Sequence, residues 1–425
     1  MSRSLQELYN ELQSTQEQTK RPRSAAEEPA LMVKVVQLLF AYGVSVRASD
    51  IHVEPHATGM RVRYRIDGIL HELLRLPQEM SDSLIRSIKL RANMVTDPVG
   101  RSKPQDGRIE FEVDSRKLDL RLSSFPTLYG DVLAIRIMGR SASRPGLEQL
   151  GFPQEMLRKF EQLIRKPNGF ILVCGPTNSG KTTTLYAVLD KLRSPYIKTI
   201  TLEDPVEHQM EGIDQGEVNS QVGLTFASGL RAILRQDANI ILVGEIRDKE
   251  TADVAIRAAL TGHLVFSTLH TRYSCGAVIR LMDMEIDPHL IVTSLTGILA
   301  QRLVRLLCPN CKIPDPNANR TFERLWMQEV RTVSPEAISA HLYKGSGCSA
   351  CNNTGYRDRT GIFELLVLNN EELKRAILDR ATNHFYKTAV TSGMRTMLLD
   401  GLGKVAKGLT SIEEVLRVTG ETEDV

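Results

Sequence analysis

The chain has 425 residues, more than one hydrophobic core serves comfortably, so two or three domains are expected. With 42% apolar, 25% charged and 5% aromatic residues and a formal charge of +3, it has neither the basicity of a polyanion binder nor the rings of a base-stacking protein; no direct nucleic-acid partner is expected. No apolar run approaches the length that spans a bilayer, and the stretch from Met1 to Leu8 has no apolar core of a secretory signal, which points to the cytoplasm.

Residues 1–29 read as a flexible tail. Leu5, Leu8, Tyr9 and Leu12 fall at helical spacing, and Thr19 to Pro29 has the composition of a tether, so a short amphipathic helix on a leash is expected, either a frayed terminus or a docking peptide. Residues 30–140 read as a small α+β domain. Its apolar stretch Leu31 to Tyr42 predicts a helix, and the alternation in Met60 to Ile66 and Arg116 to Leu122 predicts half-buried strands. Residues 141–150, with Ser141 to Gly146 rich in turn formers, form a linker.

The rest of the chain, 151–425, opens with the strongest signal. An apolar run from Gly169 to Cys174 leads into Gly175, Pro176, Thr177, Asn178, Ser179, Gly180, Lys181, Thr182 and Thr183, and an apolar helical pattern follows. Glycines let backbone N–H groups and a helix N-terminus face phosphate oxygens, Lys181 supplies a mobile positive charge, and Thr182 offers a hydroxyl to Mg²⁺. A nucleoside triphosphate is the expected ligand. Buried runs recur at Thr199 to Leu202, Asn239 to Gly244 and His263 to Leu269, with helical patterns between most of them, which predicts an α/β fold with a parallel-rich central sheet. Glu203 and Asp204, Glu245 and His270 close these runs, where ligands of open α/β sheets bind. The chemistry expected there is hydrolysis of a terminal phosphoryl group. Glu203 and Glu245 are both candidates for polarising water or organising Mg²⁺, with the division between them open. His270 is a candidate γ-phosphate sensor, and His263 is equally a structural or a coupling residue.

Two C-x₂-C pairs, Cys308 with Cys311 and Cys348 with Cys351, are separated by 36 residues. Paired cysteines in a reducing compartment read as thiolate ligands, so a Cys₄ zinc module with an insertion is expected at about 305–365, followed by C-terminal helices over 366–425. Cys174 and Cys275 lie in apolar or small-residue surroundings and read as packing residues.

From Ala48 to about Leu368 the motifs resemble the secretion ATPases of type II secretion and type IV pilus systems, the GspE and PilB group. The resemblance is carried by Ala48 to Pro55, Arg61 to Gly68, Pro104 to Ile109 and Leu120 to Thr127, and then by the phosphate loop. It continues through an Asp box at Thr201 to Glu207, a Walker B region at Leu234 to Asp248, a His box at Thr261 to His270, and the segments Leu299 to Cys311 and Gly355 to Glu364. It implies a RecA-like P-loop domain, a PAS-like small domain, a ring of six identical chains, and ATP bound between the two domains. It further implies Arg108, Arg121 and Arg136 as phosphate contacts from the small domain, and work done on an inner-membrane platform protein, with pilin-like subunits engaged indirectly. The four cysteines favour the assembly branch over retraction motors, which usually lack them.

Three departures qualify the resemblance. Asn178 stands where the family usually has glycine, and Asn tolerates a left-handed backbone best among the other residues. Ala238 and Asn239 replace the usual Pro-Asp. Only about 29 residues precede the small domain, where many relatives carry a separate docking domain. The alternatives are a DNA-translocating or conjugation-type ATPase, a retraction motor and a nucleotide-regulated scaffold.

Overall fold

The computed structural model describes residues 10, 11, 14, 27–96, 103–113, 116–138, 145–330 and 341–420. The apolar positions Leu5, Leu8, Tyr9 and Leu12 of the expected tail helix, and residues 141–144 of the expected linker, lie outside them. The chain divides into two compact units, Met1–Ala142 and Ser143–Val425.

In the first unit, the helix Glu27–Ser45 precedes β1 (Ala48–His56), β2 (Gly59–Ile66) and β3 (Ile69–Leu76). After the helix Ser81–Arg91 come β4 (Gln105–Val113), β5 (Arg116–Thr127) and β6 (Gly130–Met138). The strands form one antiparallel sheet in the order β3-β2-β1-β6-β5-β4. Alternation decides its faces: along β2, Met60, Val62, Tyr64 and Ile66 are buried, while Arg61, Arg63 and Arg65 on the other face are half-buried. The apolar face shares a core with Val36, Leu39 and Phe40 of the first helix and Leu84 and Ile88 of the second.

The second unit contains β7 (Gly169–Cys174), β8 (Thr199–Glu203), β9 (Asp214–Glu217), β10 (Ile240–Val243), β11 (Leu264–Leu269) and β12 (Leu295–Leu307). Then follow β13 (Lys312–Pro314), β14 (Tyr343–Gly345) and β15 (Tyr356–Val367). Seven of them form a sheet in the order β15-β12-β7-β11-β10-β8-β9, parallel throughout except for β15 against β12. Both faces are covered, which is why its central strands read as unbroken apolar runs. Phe170, Leu172 and Cys174 of β7 belong to one core, and Ile171 and Val173 to another. The parallel-rich α/β fold expected from the sequence is the fold found.

The pair β12 and β15 is the longest in the sheet and leads to the cysteines. Between the two C-x₂-C pairs lie the antiparallel pair β13 and β14 and, between those strands in the chain, the helix Asn319–Val330. The helices Glu371–Leu378, Thr382–Thr391, Met397–Ala406 and Ile412–Thr419 follow β15 and add Leu373, Phe385, Leu402 and Val415 to the core. Cys174 and Cys275 are buried in that same core, as packing residues would be.

Candidate functional site: the carboxyl edge of the parallel sheet

The phosphate loop joins β7 to the helix Lys181–Leu192. Gly180 at the helix N-cap has φ +87°, and Asn178 has φ +64°, the left-handed region that Asn tolerates without a glycine. A Cβ on Gly175 would lie 2.6 Å from the Gln301 carbonyl oxygen, so only glycine lets the loop close against β12. Pro176, Thr177, Asn178, Thr182 and Thr183 are exposed, whereas Ser179 is buried. Lys181 Nζ donates to the carbonyls of Gly175 and Pro176, each at 2.9 Å. Burial lowers the pKa of its ammonium, against upward pulls from Cys174 and Glu245. Those carbonyls are neutral acceptors, and an anionic phosphate oxygen within the same reach is the stronger partner.

Glu203, Glu245 and His270 all leave the carboxyl ends of parallel strands, but their environments differ. Glu203 is 3% exposed, and its carboxylate accepts from Tyr186 Oη at 2.5 Å, Thr201 Oγ1 at 2.6 Å and Gln215 Nε2 at 3.1 Å. Burial first, and then the bond to Glu203, push the Tyr186 phenol well up, so it stays a donor. Glu245 is only half-buried. One carboxylate oxygen contacts Arg247, and the other lies 3.3 Å from His270 Nε2. Arg247 also reaches Asp204 at 3.7 Å. The two strand ends are locked together by Ser267 Oγ donating to the Val243 carbonyl at 2.7 Å and Thr268 Oγ1 donating to that of Gly244 at 2.8 Å. His263 lies at the other end of β11, its Nδ1 2.9 Å from the Ala258 carbonyl at the end of the Lys249–Leu260 helix.

In the first unit the three expected arginines form a row. Arg108 pairs across the strands with Arg121, and Arg121 with Arg136, so all three share one face of the sheet. Asp119 accepts from Arg108 Nε at 2.5 Å, and Asp50, cross-strand from Arg136, accepts from its Nε at 3.1 Å. Like charges directly opposite one another oppose folding, and anions relieve them.

The four cysteines converge. Their sulfurs all lie within 4.8 Å of one another, with Cys308–Cys348 and Cys311–Cys351 at 3.8 Å and Cys348–Cys351 at 3.7 Å. A tetrahedral ion with metal–sulfur bonds of about 2.3 Å needs edges of about 3.8 Å, so the donor set fits a metal of the zinc type. Burial would raise the Cys351 thiol, but the N–H groups of Cys348 and Gly355 outweigh it and bring it down to about 7.

Sequence reasoning located the loop, the strand-end acids, the arginines and the cysteines. It assigned no role to Arg247 and Gln301, although both lie in segments that carry the resemblance, nor to Tyr186 and Gln215, which meet the site through sheet order.

A glycine-bounded loop on a helix N-terminus, with a lysine and acidic strand ends beside it on a mostly parallel sheet, defines a P-loop ATPase. Among solved structures, the pilus retraction motor PilT with bound ADP superposes with a TM-score of 0.60 at 25% identity, covering 92% of this chain and 98% of that one. The Legionella pneumophila ATPase DotB, at 22% identity and a TM-score of 0.65, shares the fold over 91% of this chain and 95% of its own. Residues 25–417 match the family described as Type II/IV secretion system protein, and the chain belongs to that family. It is 43% identical over 396 residues to Type II secretion system protein E of Aeromonas hydrophila, covering 93% of this chain and 77% of that protein. The Type IV pilus assembly ATPase PilB of Thermus thermophilus is 40% identical over 420 residues, 98% of this chain and 46% of that protein. The chain is a secretion or pilus-assembly ATPase. Among the described residues, no helix is long and apolar enough to cross a membrane.

Proposed function

We propose that ATP is hydrolysed at the carboxyl edge of the seven-stranded sheet. In this reading Gly175 to Thr183 hold the phosphates, Lys181 neutralises their charge, and Thr182 presents its exposed hydroxyl to Mg²⁺. Glu245 polarises the attacking water, and His270 reports the γ-phosphate to it. The observation that carries this division is the contrast between the two carboxylates. Glu203 is buried and accepts from three protein donors, while Glu245 is half-buried between the exposed Arg247 guanidinium and the His270 imidazole. Glu203 then holds Tyr186 of the loop's helix against β8, a positioning role.

The wider reading follows the family. Arg108, Arg121 and Arg136 supply cations to the triphosphate, six identical chains form a ring, and hydrolysis moves an inner-membrane platform that acts on pilin-like subunits, the ATPase lying peripherally on the cytoplasmic side. Zn²⁺ on Cys308, Cys311, Cys348 and Cys351 fixes the cysteine module. Measuring ATP turnover and nucleotide affinity for Glu203→Gln and Glu245→Gln tests the division. Glu245→Gln is expected to lose turnover while keeping affinity, and the opposite ranking of the two variants overturns the assignment.

A further inference from the structure

We propose that Gln301 is a positioning residue for nucleotide binding, its side-chain amide clamping the phosphate loop to the helix that follows it. The proposal rests on the reading of Gly175 to Thr183 as the phosphate site.

Gln301 is in the middle of β12 and 2% exposed. β12 runs parallel to β7, with Leu299 opposite Val173 and Ala300 opposite Cys174, so Gln301 is level with the point where β7 becomes the loop. Its Nε2 donates to the Ser179 carbonyl at 2.8 Å, and its Oε1 accepts from Thr184 Oγ1 at 2.8 Å. Thr184 is 1% exposed on the first turns of the Lys181–Leu192 helix. The loop also passes close to Gln301 at both glycines: an added Cβ would stand 2.6 Å from the Gln301 carbonyl oxygen at Gly175 and 3.2 Å from its Nε2 at Gly180. Gln301 thus meets the loop's start with its backbone carbonyl, and the loop's end and the helix beyond with its side chain.

The chemistry of the contact fixes the loop's polarity. A carbonyl only accepts, so the NH₂ end of the amide must face Ser179 and the oxygen end must face the Thr184 hydroxyl. In a planar trans peptide, C=O and the next N–H point in opposite directions. Drawing the Ser179 carbonyl toward β12 therefore turns the Gly180 N–H away from β12. Without the amide, that peptide is free to flip and present a carbonyl oxygen where a phosphate needs a donor. Such a loss weakens ground state and transition state alike, so it acts on binding rather than on the chemical step.

The test uses the full chain, with Mg²⁺ and a fluorophore-tagged ATP analogue for affinity and ATP for steady-state kinetics. Gln301→Met, close in volume but without either hydrogen bond, and Gln301→Glu, which sets oxygen against the Ser179 oxygen, are expected to raise Kd and KM about tenfold, with kcat within about threefold. Thr184→Ser keeps the hydroxyl and is expected to match the parent, whereas Thr184→Val is expected to share the KM effect. This pair decides the matter if the Gln301 variants do not fold. Unchanged affinity in folded Gln301→Met and Thr184→Val, or a fall in kcat at constant KM, overturns the clamp. Lys181→Ala separates the two levels. If it loses the nucleotide while the Gln301 variants bind normally, only the clamp fails; if it binds normally, the phosphate-site reading fails with it.

Discussion

Around Gln301, β12 is flanked by β7 and β15 and sealed by apolar side chains on both faces, whereas beyond Leu307 it has left the sheet and runs into four cysteines whose buried cluster holds no other apolar side chain among the described residues. At the first end the backbone is held by burial and by side-chain hydrogen bonds within the protein. At the second, the tight turns built on Cys308 and Cys348 have little apolar surface to hold them, and the proposed metal would supply a cross-link there. The join between them is a polar knot. Arg305 of β12 lies 4.0 Å over the Tyr356 ring, pairs with Glu414 at 2.7 Å, and Glu414 also accepts from Arg417. One strand therefore connects a site that keeps its shape by packing to a four-cysteine module whose donor set fits a metal ion.

If the contrast is right, changes at the sheet end affect nucleotide chemistry and changes at the cysteine end affect local order. The largest effect is expected for Lys181→Ala and Glu245→Gln. Turnover should fall at least about a hundredfold in each, with nucleotide affinity lost only in the lysine variant, and direct binding beside steady-state rates checks both. Next, Cys311→Ser or a chelator should remove about one metal ion per chain by elemental analysis. Amide exchange should rise steeply between Cys308 and Tyr356, while nucleotide Kd stays within about threefold. A collapse of nucleotide binding on metal removal would break the comparison, because it would make the two ends one cooperative unit.

A smaller effect is expected at the knot between them. Burial raises the Glu414 carboxyl, but the hydrogen bonds from Arg417 and Arg305 outweigh it and hold it below the usual carboxylate range. A folded-state value below the unfolded one gives stabilisation that is complete above the ordinary carboxylate range and is lost as pH falls through the folded value. Glu414→Gln should accordingly cost about 3 kcal/mol near neutral pH, with the gap to the parent closing below about pH 4, measured by denaturant unfolding across pH. The smallest effect belongs to Asn178→Gly. Its left-handed backbone suits either residue, so turnover is expected to stay within severalfold, and a large fall in the measured ATPase rate would show that the amide takes part.

The sequence was legible wherever function needs a local pattern. Gly175 to Thr183 announce themselves because a phosphate cradle is one contiguous turn between a strand and a helix, and the cysteines because two sulfur donors on one tight turn have two residues between them. Alternation in β2 gave away a half-buried sheet, and unbroken apolar runs gave away strands covered on both faces. The split between Glu203 and Glu245 was not legible, since both simply end an apolar run. Only the sheet order brings Tyr186 and Gln215 onto the first carboxylate and leaves the second to Arg247 and His270.

Chain-local chemistry thus determined the fold class, the loop, the thiolate set and the candidate acids, because turn geometry, periodicity and ligand spacing are properties of a few consecutive residues. Tertiary structure alone gave Glu203 its three protein donors and set the half-buried Glu245 beside Arg247 and His270. It also placed Arg108, Arg121 and Arg136 in one row and set Gln301 against Ser179 and Thr184. Those facts depend on strand neighbours and register, which are fixed by how apolar faces pack over long separations in the chain and leave no mark on any short stretch of it.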